Sequence, residues 1–333
     1  MQITARKIGF TALGLVVVTG VAGSTLAVVS YRRGKAAAER EWRDYHPPRI
    51  ADLGETRTLD ILPLVTWDTA GDLRGEAGVS YLVRTDSLTV LFDVGLNANG
   101  QDPSPLLRNM RALGISLEEI DAIVISHNHA DHVGGLRWEK ERTFSLGNDQ
   151  TDLGDIDVYT PVPMTYPGLT PVHTAHPTVL APGVATTGTI PRRLFIGHVD
   201  EQALVVNVAG KGLVLIVGCG HQTLPKLLER TEAVFPQPVY GLVGGLHYPI
   251  PEGRMKLLGI DVQRRFASGD GPWHPITERD VRREMAALQA RGPGLVGLDP
   301  HDSGDGAIAL FRETFGPAYR DVRLGTWIRA GND

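Results

Sequence analysis

Ser126-His127-Asn128-His129-Ala130-Asp131-His132-Val133-Gly134-Gly135 is the stretch on which the fold turns. It follows an apolar run, 121–126 (DAIVIS), so it should leave the end of a buried strand. His127, His129, Asp131 and His132 place four potential metal ligands within six residues. Packed as ordinary core, they would carry a severe desolvation cost. Imidazole with carboxylate suits Zn²⁺, or Mn²⁺ and Fe where oxygen ligands dominate. In such a loop His127 and His129 can face one cation while Asp131 and His132 face a second. Two neighbouring cations can share a hydroxide, which supplies a nucleophile at neutral pH beside a Lewis acid. Gly134 and Gly135 let the backbone turn tightly away.

Outward from this loop, short β-branched runs alternate with turns. Strands are expected at 79–84, 88–93, 121–126, 156–160, 203–208, 213–217, 239–243 and 295–298. Helical spacing appears at 103–113, where Leu106, Met110 and Leu113 share a face, and at 277–290, where Thr277 and Asp280 form a capping-box pattern. Further helices are expected at 222–233 and 306–315. Residues 160–192, rich in Pro, Thr and Gly, read as a long loop, and 248–276 as an inserted excursion of the kind that forms lids.

The amino terminus reads differently. Residues 8–31 carry no charge, and as a helix they would rise about 36 Å, enough to span a bilayer. Arg6 and Lys7 flank one end, Arg32 and Arg33 the other. A retained single-pass membrane anchor is the leading expectation. A cleaved signal peptide and a buried helix are the alternatives. The organisation expected is 1–45 as anchor and basic linker, with the charged linker running on towards residue 58, and 46–333 as a catalytic domain. Residues 1–45 hold net charge +4 and the remainder −9. A body so acidic is a poor generic polyanion binder, so a small-molecule substrate is expected and nucleic acid is not. The one cysteine, Cys219, excludes an intrachain disulfide. There is no serine-nucleophile elbow, phosphate-binding loop or dinucleotide fingerprint.

The H-x-H-x-D-H of residues 127–132 resembles the hallmark of the metallo-β-lactamase superfamily. The resemblance implies an α/β fold, a four-layer αββα sandwich with metals at one edge between the sheets. Leu91-Phe92-Asp93-Val94-Gly95 looks like the strand ending in Asp-x-Gly, whose Asp93 would support the metal loop from behind. Thr187–Arg192, Asp200–Leu204, Gly218–His221, Gly244–His247 and His301–Gly304 follow the order of the dihydropteroate-synthase-like subgroup, which includes proteins named for a methanopterin-precursor synthase. Three places depart from that pattern: Ala77, where His is usual; Asn128 and Ala130, where Gly and Tyr are usual; and Asp302-Ser303, where Cys-Thr is usual.

The resemblance implies His221 as a further ligand. It sets Cys219 where relatives place a bridging Asp, as a zinc thiolate or else a small buried residue. His247 and His301, each after a strand, compete for the last ligand position, and His198 is a weaker contender. His173 and His176 read as surface or substrate-facing, and His46 and His274 as solvated. Asp299, Asp302 and Asp305 read as turn residues rather than a calcium site. Arg192 is a candidate contact for an anionic substrate. The functional expectation is a hydrolase with two zinc ions per chain, using a metal-bound hydroxide on an ester or phosphoester, with Asp131 and His132 catalytic. The alternatives are a pterin-pathway synthase-like enzyme, a di-iron oxidoreductase and a binding module without catalysis.

Overall fold

A computed structural model describes residues 26–331. Two sheets form its centre. The first runs β17-β1-β2-β3-β4-β5-β6, built from Ile328–Gly331, Thr58–Val65, Ser80–Thr85, Thr89–Phe92, Ala122–Val124, Asp157–Thr160 and Val172–His173. The second runs β16-β13-β12-β11-β8-β7, built from Leu295–Leu298, Val239–Gly244, Gly212–Val217, Leu204–Val208, Val184–Thr186 and Thr178–Ala181.

Successive side chains on a strand point to opposite faces, so each fully buried strand feeds two cores. On β12, Val214 and Ile216 face the first sheet, where they join Tyr81, Val83, Phe92 and Val124. Leu213, Leu215 and Val217 face the other way, onto helices α5 (Leu224–Val234), α7 (Glu278–Gln289) and α8 (Asp305–Phe315). On the first sheet, Leu82, Leu91 and Ile123 point outward onto α2 (Pro105–Leu113) and onto Trp138 of α4 (Leu136–Glu141). Helix, sheet, sheet, helix is the αββα order expected from the resemblance.

Strands β3, β4 and β5 run parallel, as do β12, β13 and β16. The carboxyl ends of β3, β4, β12, β13 and β16 therefore open into the five segments that bear Asp93, residues 126–132, 218–221, 245–247 and 299–302. All the candidate ligands but His198, which starts the strand His198–Glu201, lie in the four later segments.

The expected strands and helices are present with boundaries shifted by at most three residues. The segment 160–192 is not one long loop: β6, β7, β8 and β9 (Ile190–Arg193) fall in or at the end of it, and β9 pairs with β10 (His198–Glu201). Residues 32–44 are not an extended linker either. They belong to a helix, α1, spanning 26–44. It docks on the domain through buried Tyr31 and Ala38, through Glu39, which accepts from Lys226 at 2.9 Å, and through Trp42, which lies under Lys226 and Arg230. Of the charge-free stretch 8–31, residues 8–25 lie outside the described residues. Among the described residues no helix is long and apolar enough to cross a membrane.

Candidate metal centre

Asp93 follows β3 with φ of +61°, a left-handed turn that directs its carboxylate into the sandwich. There Oδ1 accepts the Ser126 N–H and Oδ2 accepts the Ser126 hydroxyl, each at 2.7 Å. His132 Nδ1 donates to Oδ2, also at 2.7 Å. Fixing Nδ1 as a donor leaves Nε2 free to ligate, the usual arrangement behind a metal-bound histidine. That Nε2 lies 3.0 Å from Cys219 Sγ. Two glycines make the packing possible. A Cβ on Gly134 would sit 2.1 Å from the Ser145 carbonyl oxygen, and one on Gly218 would sit 2.2 Å from Ser126 Oγ.

The donor atoms fall into overlapping groups, each within 4.8 Å. His127 and His129 converge with Nε2 and Nδ1 3.1 Å apart, and His127 also groups with Cys219 and His221. Asp131, His132, Cys219 and His301 form the second group, in which His301 Nε2 lies 3.1 Å from Asp131 Oδ2. Cys219 joins the two, and it also groups with His247 and Asp302. Every predicted ligand, His127, His129, Asp131, His132, Cys219, His221, His247 and His301, thus comes to one place.

The electrostatics suit a cation. Burial holds His127 and His221 well below the usual imidazole range and takes His129 down to about 4, so these rings are neutral and offer lone pairs. Burial also opposes charge on His132 and Asp131, but their mutual attraction outweighs it. Asp93 and Asp131 hold His132 up at about 9, so a cation would bind there by displacing the Nε2 proton, and His132 and His301 hold Asp131 well below the carboxylate range. Burial pushes the Cys219 thiol up, which a bound cation would reverse. His221 Nδ1, His301 Nδ1 and both ring nitrogens of His247 are buried without a hydrogen-bond partner. Unpaired buried nitrogens are costly, and cations or a substrate would satisfy them. His127 and His129 also group with Asp131, so the residues present fit a dinuclear site with His127, His129 and His221 towards one ion, His132 and His301 towards the other, and Asp131 and Cys219 reaching both sets. His247 stands at the edge of this set.

Sequence reasoning left Glu201 without a role. Its carboxylate is fully buried and accepts the backbone N–H groups of Cys219 at 3.1 Å, Gly220 at 2.8 Å and His221 at 2.6 Å. Burial pushes it up to about 8 against those amides. Two further carboxylates do the same for other loops: Asp299 accepts the His301 N–H at 2.7 Å, and Asp302 accepts the His247 N–H at 3.0 Å. Asp299 and Asp302 were expected as turn residues, and they are; the turns they hold carry the candidate ligands His301 and His247.

The centre forms the floor of a cavity of about 1160 Å³. Ala77, Asn128, Ala130 and Asp302, four of the positions that depart from the subgroup pattern, line it. The inserted excursion lines it too, through Arg254, Met255, Val262 and Gln263. His198 reaches the wall but pairs with Asp200 at 3.0 Å and joins no ligand group. Arg192 does not reach the cavity. Its guanidinium donates to the Gly269 carbonyl at 2.7 Å, because β9 turns that face toward the excursion rather than the metals. The basic residues on the cavity lining are instead Arg137, which pairs with Glu141 at 3.2 Å, Lys140, and Arg254, which pairs with Asp305 at 2.7 Å. His173 bonds the Pro161 carbonyl and His176 the Tyr45 hydroxyl, both away from the centre.

A family model described as the metallo-beta-lactamase superfamily matches residues 73–145. An Anti-Pycsar protein Apyc1 of Saccharibacillus brassicae is 42% identical, over 65% of this chain and 72% of its own. The 7,8-dihydropterin-6-methyl-4-(beta-D-ribofuranosyl)-aminobenzene-5'-phosphate synthase of Methanocaldococcus jannaschii is 25% identical, over 60% of this chain and 80% of its own. Among solved structures, a metal-dependent hydrolase of the beta-lactamase superfamily, Tm1679, superposes with a TM-score of 0.55 at 21% identity, covering 82% of this chain and all of the other. With its motif, its sandwich and these relatives, the chain belongs to the metallo-beta-lactamase superfamily.

Proposed function

We propose that this protein is a metal-dependent hydrolase of an ester or phosphoester. The observation that carries the reading is the convergence of two donor groups on Cys219 at the floor of one cavity. Two divalent cations, zinc by the chemistry of the donors, would supply a Lewis acid and lower the pKa of water at the site. Asp131, part-exposed to the cavity and 3.1 Å from His301 Nε2, would orient the attacking water. Arg137, Lys140 and Arg254 on the cavity wall would offer donors to the oxygens of a phosphoester. The excursion lines one side of the cavity through Arg254, Met255, Val262 and Gln263.

A pterin-pathway synthase-like activity is the second reading, supported by the methanogen relative. Ala77, Asn128, Ala130 and Asp302, all on the cavity wall, weigh against an unchanged substrate. The test is hydrolysis by the full chain of a panel of phosphodiesters, phosphomonoesters, carboxylic esters and lactones. Turnover that is lost in both His127→Ala and Asp131→Ala supports the hydrolase. Turnover that survives both variants overturns it.

A further inference from the structure

We propose that the hairpin of β14 (Lys256–Leu257) and β15 (Ile260–Asp261), with the start of α1, docks on the surface of an anionic lipid bilayer. The hairpin ends in two leucines that touch little of the protein: Leu257 is 63% and Leu258 95% exposed. Met255, Ile260, Trp273 and Ile196 are exposed beside them. A groove joins this patch to α1, with Ala27 and Val28 on one wall and Ile260, Trp273 and Phe195 on the other. The Phe195 ring sits at the centre, 5.5 Å from Tyr31 and 6.0 Å from Trp273. Soluble proteins seldom expose contiguous apolar surface of this kind without a partner.

Two observations select lipid as that partner. The first is where the chain enters. The described residues begin at 26, at the edge of the groove, and the sequence immediately before them, residues 8–25, is apolar and without charge. The second is charge. Residues 26–36 and 251–273 carry seven Lys/Arg against three Asp/Glu, net +4, in a chain whose formal charge is −5. Lys35, Lys256 and Arg254 pair with Asp270, Glu252 and Asp305, while Arg32, Arg33, Arg264 and Arg265 stand in no ion pair among the described residues; apolar side chains flanked by such cations suit acyl chains beneath anionic headgroups. Ile196 and Met255 also line the cavity above the metal centre, so docking would turn its mouth toward the bilayer.

The test uses the full chain in vesicles of phosphatidylcholine and phosphatidylglycerol. An environment-sensitive fluorophore is placed by Leu258→Cys, with a control label by Arg111→Cys on the exposed side of α2; Cys219 is buried. Docking predicts that the label at 258 shifts to the blue and is quenched by nitroxide on the lipid chains. Iodide in water should lose access to it, while the control label stays open to iodide. A label at 258 that stays in water in these vesicles would overturn the proposal. A label already shifted in lipid-free protein, unchanged by vesicles, would also overturn it and assign the patch to a protein segment.

Discussion

Glu201 Oε2 accepts the backbone N–H of His221 at 2.6 Å, and the same carboxylate takes the two preceding amides. A buried side chain on one strand thus sets the path of a ligand loop that follows another. Glu201→Ala would leave three buried N–H groups unpaired, at about 1–3 kcal/mol each. Thermal unfolding should show a large loss of stability and elemental analysis a loss of metal. Glu201→Gln, which keeps one carbonyl acceptor, should fall between. A Glu201→Ala variant of parental stability and metal content would remove this role.

Asp93 acts on His132 in the same indirect way. Asp93→Asn can no longer accept at both oxygens from Ser126 and His132. Metal affinity is expected to fall about 10–100-fold, the usual effect of losing such a support. Competition with a chromophoric chelator measures it. The change should appear in affinity first, with the fold retained in far-UV circular dichroism.

Arg192 and Arg137 make a paired test of the cavity wall. Arg137, over the ring of Trp138, lines the cavity; Arg192 is tied to the Gly269 carbonyl outside it. On an anionic substrate, Arg137→Ala should raise KM, whereas Arg192→Ala should leave KM alone and lower the melting temperature. The reverse pattern would mean that β9, rather than α4, faces the substrate.

Leu242 separates the scaffold from the site. It is fully buried on the face of β13 that meets α5, α7 and α8. Leu242→Ala should cost about 2–5 kcal/mol in denaturant unfolding. The folded protein should keep its full metal content, because that side chain packs in the core beneath α5, α7 and α8 and belongs to no donor group.

The candidate ligands were legible because their signal is local. His127 to His132 sit within one loop, and His221, His247 and His301 each follow a recognisable apolar strand. The supports were less so. Nothing local marks Glu201 as a cap for residues 219–221, since the contact is made only when β10 is brought beside the loop after β12. Arg192 misled for the same reason: the direction of β9 depends on its pairing with β10. Strand β1 escaped notice because Pro63 interrupts it, its register shifts between Pro63 and Val65, and both of its faces are buried, so no clean alternation survives. The helix at 26–44 was hidden by its charges, which read as a linker; only Tyr31, Ala38 and Trp42 on one side betray the face that packs.

The central claim is that Cys219 joins two donor groups into one dinuclear centre. The most direct measurement is metal content of the full chain, purified without chelator or added metal, for the parent, Cys219→Ala and His129→Ala. The account predicts about two ions per chain in the parent, since overlapping donor groups meet at Cys219. Cys219→Ala should weaken both ions and His129→Ala mainly one. A parent protein that holds no metal even after reconstitution, or a Cys219→Ala variant that retains both ions at parental affinity, would contradict it.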